Sequence, residues 1–428
     1  MTATAPAHLS PQQPADDLRP SARVQHLLEI ARQEFVRTGF AKASMDGIAR
    51  AAGVSKETIY RHFADKEALF RAAVEALGSA FSKRSEQLLA TQAEPETLLA
   101  QHAKAILDSA MDSGYLSAVW VTVSIAWTMP DFARILQQNY VARLEPLRQV
   151  LERIVARSGV ARPTPIDCAA DFGSLAVQGP RHLMGWPELG EAERERLAHR
   201  IATFYLYGGR VRAGGLSSAP QPAEDPTPPR AERPGHVATL LRVATRHFLK
   251  QGFQDASLDL IGEQARVGRG TLYRHFGNKA GLFEAAMLDL AQDLSDVTPP
   301  LLAAGGDPSV VLPPYLAAAS AVLASPRSIA LHRTVISESK RAPALARQIY
   351  GTMRAPWTQP LAAWLAGEAA RGVLPVDDPH WCAVQMLILA TLGNRPFATH
   401  RSMDEAARKA AAERATAIFL HGFTAALA

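Results

Sequence analysis

Cysteine is nearly absent: Cys168 and Cys382 are the only two in 428 residues, far apart and outside any C-x-x-C pair. That excludes a disulfide framework and a cysteine-based metal site, and it fits a reducing cytoplasm. No secretory signal is expected at the N-terminus. There Pro6, Pro11, Pro14 and Pro20 punctuate a weakly apolar stretch that reads as a disordered arm, residues 1–20. Sustained alternation of polar and apolar residues is missing outside short stretches such as Val119 to Ile125, so no sheet is expected. Enzyme signatures are missing too: there is no H-E-x-x-H, G-x-S-x-G or G-x-x-x-x-G-K-[ST], and Gly268-Arg269-Gly270 follows no strand. Charge excess is slight, +5 with a pI near 9.3, a mild lean toward anionic partners.

Long apolar runs are few. Ser113 to Pro130 matches the length of about 18 residues that crosses a bilayer. Its counterpart 213 positions on, Pro326 to Pro343, carries Arg327, Arg333, Glu338, Lys340 and Arg341, which a lipid-facing helix does not tolerate. Pro308 to Pro326 fails likewise, because its counterpart holds Glu96, Lys104 and Asp108. Both runs are expected as buried helices of a soluble chain with no membrane partner.

Those counterparts exist because the chain repeats itself. Ile30 to Val74 returns without a gap as Val243 to Met287, each residue 213 positions later, and twenty of the forty-five pairs are identical. Pro130, Ala133 and Arg134 meet Pro343, Ala346 and Arg347 at the same spacing. Further on, Cys168, Arg200, Leu206 and Gly208 meet Cys382, Arg414, Leu420 and Gly422 at a spacing of 214. Solenoid units run to about 20–50 residues, so a repeat this long is a duplicated domain pair. Between the copies, residues 213–235 contain six prolines and few apolar residues, which marks a linker.

Helical periodicity dominates each copy. Leu27, Leu28, Ala31 and Phe35 share one face, as do Leu240, Leu241, Ala244 and Phe248. Gly39 and Gly252 are placed to end those helices, with Phe40 and Phe253 folding back on the last turn. Ser44 caps a helix from Met45 to Ala52, Gly53 turns, Ser55 caps a helix from Lys56 to His62, and Asp65 starts a longer one. Helix, short glycine turn and second helix make a helix-turn-helix, whose second member enters the major groove of DNA. Helix N-termini normally favour acids. Here Lys56 and Arg269 open the third helix of each copy and Lys66 and Lys279 the fourth, which suits a site where an anion also sits.

The run Gly39-Phe40-x-x-x-Ser44-x-x-x-Ile48-Ala49-x-x-Ala52-Gly53-Val54-Ser55-Lys56-x-Thr58-x-Tyr60-x-x-Phe63-x-x-Lys66-x-x-Leu69 resembles the DNA-binding domain of the TetR family of bacterial transcriptional regulators. The second copy resembles it through Gly252, Phe253, Ser257, Ile261, Thr271, Leu272, Tyr273, Phe276, Lys279 and Leu282. The resemblance implies an all-α protein of two tandem TetR-like units, each a three-helix helix-turn-helix domain followed by a helical ligand-binding and dimerisation domain. The expected boundaries are helix-turn-helix domains at 21–81 and 236–294, and helical C-terminal domains at 82–212 and 295–428. Phosphate contacts carry over onto Ser44, Tyr60 and Lys66, and onto Ser257, Tyr273 and Lys279. Base-edge contacts carry over onto Lys56, Glu57, Thr58, Arg61 and His62, and onto Arg269, Gly270, Thr271, Arg274 and His275, with the capping Ser55 at the same surface. Ile59, Leu272, Phe63 and Phe276 read as core. The second copy departs from the pattern at Arg266, where Gly53 stands in the first. A left-handed turn there costs a non-glycine residue about 1–2 kcal/mol; either a phosphate contact by Arg266 offsets it or the second reader is weakened, and the four basic residues and no acid from Arg266 to Lys279 favour retained binding.

The resemblance also implies operator DNA and a small effector as partners, no cofactor, and pairing of the two halves within one chain, a higher assembly being left open. Trp120, Trp127 and Tyr140 in the first half, and Trp357 with Tyr315, Tyr350, Trp364 and Trp381 in the second, are candidates to line an effector pocket. His332 and Glu338 are its candidate polar groups. Aromatics at helical spacing are more often plain core, and the two cysteines read as small buried hydrophobes. The competing class is a helical scaffold that binds ligand or protein and has lost DNA binding; a gel shift separates the two.

Overall fold

The computed structural model describes residues 22–38, 40, 42–89, 93–112, 123, 144–157, 164–209, 234–393, 395–399 and 402–424. They form α-helices, one 3₁₀ turn and their connections, with no strand among the described residues. The arm (1–20), most of the proline-rich linker, Gly39, Trp120, Trp127 and Tyr140 lie outside the described residues. The chain divides into two compact units, Met1–Ala76 and Leu77–Ala428.

The first unit holds α1 (Ala22–Thr38), α2 (Met45–Ala52), α3 (Lys56–His62) and the start of α4 (Lys66–Leu89). The starts of α2, α3 and α4 each have a side-chain cap: Ser44 accepts from Gly47 N at 3.0 Å, Ser55 from Thr58 N at 3.1 Å, and Asp65 from Ala68 N at 2.7 Å. Leu27, Ala31, Phe35, Ile48, Ile59, Leu69 and Phe70 point inward and are buried. Phe35, Phe40 and Phe70 form a ring triad with centroids 5.0–5.7 Å apart.

The same parts recur inside the second unit. There α9 (Gly235–Asp255), α10 (Leu258–Ala265), α11 (Arg269–Phe276) and α12 (Lys279–Ser295) form the second helix-turn-helix. Its triad is Phe248, Phe253 and Phe283, with centroids 5.1–6.3 Å apart, and it stands 213 positions after the first. Gly252, at φ 73°, breaks α9 and lets Phe253 turn inward.

The rest of the second unit is α5 (Pro95–Asp112), α6 (Glu145–Arg157), α7 (Ile166–Ala176), the 3₁₀ turn Arg181–Met184, α8 (Glu191–Tyr207), α13 (Pro308–Leu323), α14 (Pro326–Glu338), α15 (Pro343–Ala370), α16 (Pro379–Ala390), α17 (Arg395–Thr399) and α18 (Glu405–His421). The helices α9 and α12 pack on α14, and α12 also on α15, so the second reader is seated on its own C-terminal helices. No single described helix is long and apolar enough to cross a membrane; α13 and α14 pass that test together only as a pair bent by 57°. Leu312, Leu316, Ala319, Ile329, Leu331 and Val335 of that pair are buried inside the protein.

The halves meet through α7 and α8 on one side and α16 and α18 on the other. Buried Asp171 receives Arg395 at 2.5 Å and Arg414 at 2.6 Å, and Arg200 reaches Asp378 at 2.8 Å. Arg200 also lies 4.0 Å over the Trp381 ring, Phe204 meets Trp381 edge-on at 5.2 Å, and Tyr205 stacks on Phe423 at 5.2 Å. The backbone joins in, Gly209 N–H donating to Phe419 O at 2.8 Å.

Candidate nucleic-acid interface

A recognition helix works only if the turn before it holds one angle. In the first copy Gly53 adopts φ 66°, ψ 30°, its N–H returns to the end of α2, and Val54 N–H donates to Ala49 O at 3.0 Å. In the second copy Arg266 adopts φ 54°, ψ 41°, and Val267 N–H donates to Gly262 O at 2.9 Å. The left-handed turn is therefore kept without glycine. Its guanidinium-bearing side chain stands exposed beside α11.

The turn presents one face of α3 and of α11 to solvent. Lys56, Glu57, Tyr60, Arg61 and His62 are exposed, as are Arg269, Gly270, Tyr273, Arg274 and His275. Tyr60 and Tyr273, at 46% and 50% exposure, are far wetter than their apolar rings alone would favour. Thr58 and Thr271 are half-buried, and Thr58 Oγ1 shares a 2.9 Å hydrogen bond with Ser55 Oγ. Ile59 and Leu272 face the core at 0% and 2% exposure, while Phe63 and Phe276 are half-buried at the helix ends. Ser44 and Ser257 cap α2 and α10 at the edge of the same face.

Two relationships escaped sequence reasoning. The cation that opens each recognition helix is held by an aspartate of the preceding helix: Lys56 Nζ lies 3.0 Å from Asp46, and Arg269 Nη2 lies 2.6 Å from Asp259. The Asp46 hydrogen bond raises the pKa of Lys56, and the Asp259 hydrogen bond that of Arg269. The available signal was that Asp46 and Asp259 are an identical pair in the repeat. The second relationship concerns Lys66 and Lys279, the expected phosphate contacts at the start of the fourth helix of each copy. Lys66 Nζ donates to Phe40 O at 2.9 Å and Ala43 O at 3.2 Å and sits 4.6 Å from the Phe40 ring centroid. Lys279 Nζ donates to Gln254 O at 2.8 Å, 5.1 Å from the Phe253 ring. Both ammoniums are bound first to the corner between the first and second helices of their own domain, and partial burial lowers the pKa of Lys66.

Among the sequence candidates for a ligand pocket, Tyr315, His332, Glu338, Tyr350, Trp357, Trp364 and Trp381 are described and buried. His332 Nδ1–H donates to Ser328 O at 2.8 Å and the ring stacks on Phe397 at 5.0 Å. Burial pushes its pKa down to about 4. Glu338 pairs with Arg341 at 2.9 Å, six residues and roughly 9 Å along α14 from His332. Trp357 packs edge-on against Tyr315 at 5.7 Å. Cys168 and Cys382 are both buried free thiols, pushed up to about 11 and about 12 by burial.

Paired cations on an exposed second helix, set by a left-handed turn and repeated in one chain, define a helix-turn-helix transcriptional regulator. The family described as bacterial regulatory proteins, tetR family, matches residues 27–73 and 240–286, and the AefR-like transcriptional repressor C-terminal domain matches residues 311–425. The chain belongs to the TetR family of transcriptional regulators, as a tandem duplication, and that family consists of regulators rather than enzymes. It is 39% identical over 64 residues to the DNA-binding transcriptional repressor TetR of Mycobacteroides abscessus, spanning 15% of this chain and 34% of that one. Nucleoid occlusion factor SlmA of Marinobacter nauticus is 27% identical over 165 residues, 38% of this chain and 82% of its own. Among solved structures, the flavonoid-responsive regulator FrrA is 30% identical with a TM-score of 0.37, covering 43% of this chain and 95% of its own.

Proposed function

We propose that the chain is a repressor that works as a single-chain pseudodimer: α3 and α11 read the two halves of an imperfect palindrome, and a small ligand in the C-terminal domains tunes the grip. The observation that carries the proposal is the contact of α7 and α8 with α16 and α18, which joins first-half Asp171 to second-half Arg395 and Arg414. Family members dimerise through an isologous patch, so a duplicated chain carries both faces already. Repression is supported by the C-terminal match to a repressor domain and by the repressor name of the Mycobacteroides relative.

In this reading Arg269, Arg274 and His275, and their counterparts Lys56, Arg61 and His62, face base edges, where arginine suits guanine O6 and N7. Ser44, Tyr60, Lys66, Ser257, Tyr273, Lys279 and the exposed Arg266 face phosphates. The readers differ, Lys56-Glu57-Thr58 against Arg269-Gly270-Thr271, so the two half-sites differ as well. Sedimentation at low concentration tests the assembly: one 46.2 kDa chain is expected, and a tight two-chain dimer overturns it. Gel shifts on DNA flanking the gene test the activity, since a scaffold that has lost DNA binding gives none.

A further inference from the structure

A buried guanidinium normally comes with a carboxylate, because an unpaired ion is costly to remove from water. Arg354 of α15 breaks that rule. It is 4% exposed, and among the described residues no acid pairs with it and no acceptor meets its Nε or Nη1. One turn on, Trp357 is 2% exposed and its Nε1–H also lacks an acceptor. Residues three apart share a helix face, so these unmet donors belong to one side of α15. Pro356 and Pro360 lie within the helix beside them, where neither has a backbone N–H to donate.

The surroundings are aromatic. The Tyr350 ring lies 4.9 Å from the Arg354 guanidinium carbon, and Trp186 of the first half meets Tyr350 edge-on at 4.9 Å. The Tyr315 hydroxyl is already spent on Trp357 O at 2.7 Å, which leaves its ring as apolar wall. Nothing equivalent is encoded in the first half: at the 213-residue offset Arg354 and Trp357 become Val141 and Leu144, neither of which has a side-chain donor.

We propose that Arg354 and Trp357 form an anion seat for a small aromatic carboxylate, one per chain and in the second half only, roofed by Trp186 of the first half. It rests on the reading that a ligand controls DNA binding, and names that ligand's class. The carboxylate accepts from the guanidinium and the indole N–H, and its ring lies among Tyr350, Tyr315 and Trp186. The helix α14 then connects the seat to the reader, since it packs on both α15 and α9.

Calorimetry on the full chain with benzoate, salicylate and 1-naphthoate, and with benzamide as neutral isostere, tests the seat. At least one carboxylate binds once per chain, and benzamide binds about tenfold weaker or less. Trp357→Phe keeps a ring, loses the donor and weakens binding several-fold. Arg354→Met abolishes binding while the ligand-free thermal midpoint holds or rises, because an unpaired buried charge has gone. Two sites per chain, equal binding of benzamide, no binding of any carboxylate, or a lower ligand-free midpoint for Arg354→Met overturns the seat. Gel shifts separate the two ideas. Calorimetric binding without DNA release overturns ligand control and leaves the seat; carboxylate-driven release that survives Arg354→Met does the reverse.

Discussion

Gly208 and Gly422, one at the end of each half, are mutual footholds. Each has a left-handed φ, 82° and 78°, and each lies against the other half's backbone. A β-carbon on Gly208 would stand 2.4 Å from Phe419 O, and one on Gly422 would stand 1.9 Å from Leu206 O. Replacing either with alanine meets backbone, which cannot rotate aside. The dihedral strain alone is about 1–3 kcal/mol. Gly208→Ala and Gly422→Ala are each expected to lower the thermal midpoint by several degrees and to expand the particle on size exclusion. An unchanged profile for both would remove this contact from the assembly.

Asp171 supplies the polar half of the same junction. It is 1% exposed and answers two arginines, so Asp171→Asn leaves Arg395 and Arg414 without their shared charge. Removing one partner of a buried pair costs about 3–5 kcal/mol; Arg414 is partly exposed, so the lower end is expected. Chemical denaturation checks it, and a loss under about 1 kcal/mol contradicts the buried-pair account.

Arg266 tests the turn. Arg266→Gly should stabilise the second reader by about 1 kcal/mol, because glycine carries no penalty at φ 54°. Gly53→Arg should cost the first reader a similar amount: nothing lies within 4 Å of a β-carbon there, so only the dihedral opposes it. If Arg266 touches phosphate, Arg266→Gly also lowers the salt slope of DNA binding by about one unit.

Lysine at the start of the fourth helix and arginine at the start of the recognition helix should fail differently. Lys279→Ala loses a bond to a backbone carbonyl and is expected to cost about 1 kcal/mol of stability before any effect on DNA. Arg269→Ala leaves folding alone and costs about 1–3 kcal/mol at one or two base positions. Binding titrations on matched and mutated sites, beside melting curves, separate the two; a melting loss for Arg269→Ala alone would reverse the assignment.

His332 sets an acid limit. Its folded pKa is about 4, below the ordinary histidine value near 6.5, so the unfolded chain takes up the proton first. Stability from this group is full above about pH 6.5 and declines as pH falls toward 4, by roughly 3 kcal/mol in all. His332→Gln should flatten that part of the stability profile.

The sequence exposed the parts that obey local rules. Caps such as Ser44 and Ser55, the fold-back of Phe40 on the end of α1 and the solvent face of α3 follow from spacing and helix-end chemistry. The duplication let one copy check the other. What stayed hidden depends on who faces whom. Asp46 reads as an ordinary acid in a first turn until Lys56 is seen to reach it, and Lys66 reads as a surface cation until Phe40 and Ala43 turn their carbonyls toward it. Trp357 was legible as an aromatic and Arg354 as a basic residue. That neither finds a partner is a property of packing, which no periodicity records.

Asp171 and the arginines it holds are translated on one strand of message, so they meet at a tether-set local concentration on the order of millimolar, however few copies the cell makes. A regulator built from separate subunits thins out into inactive monomers when scarce. The single-chain pseudodimer proposed above would have no such dilution threshold: occupancy of its site should follow copy number linearly at low expression, down to single molecules.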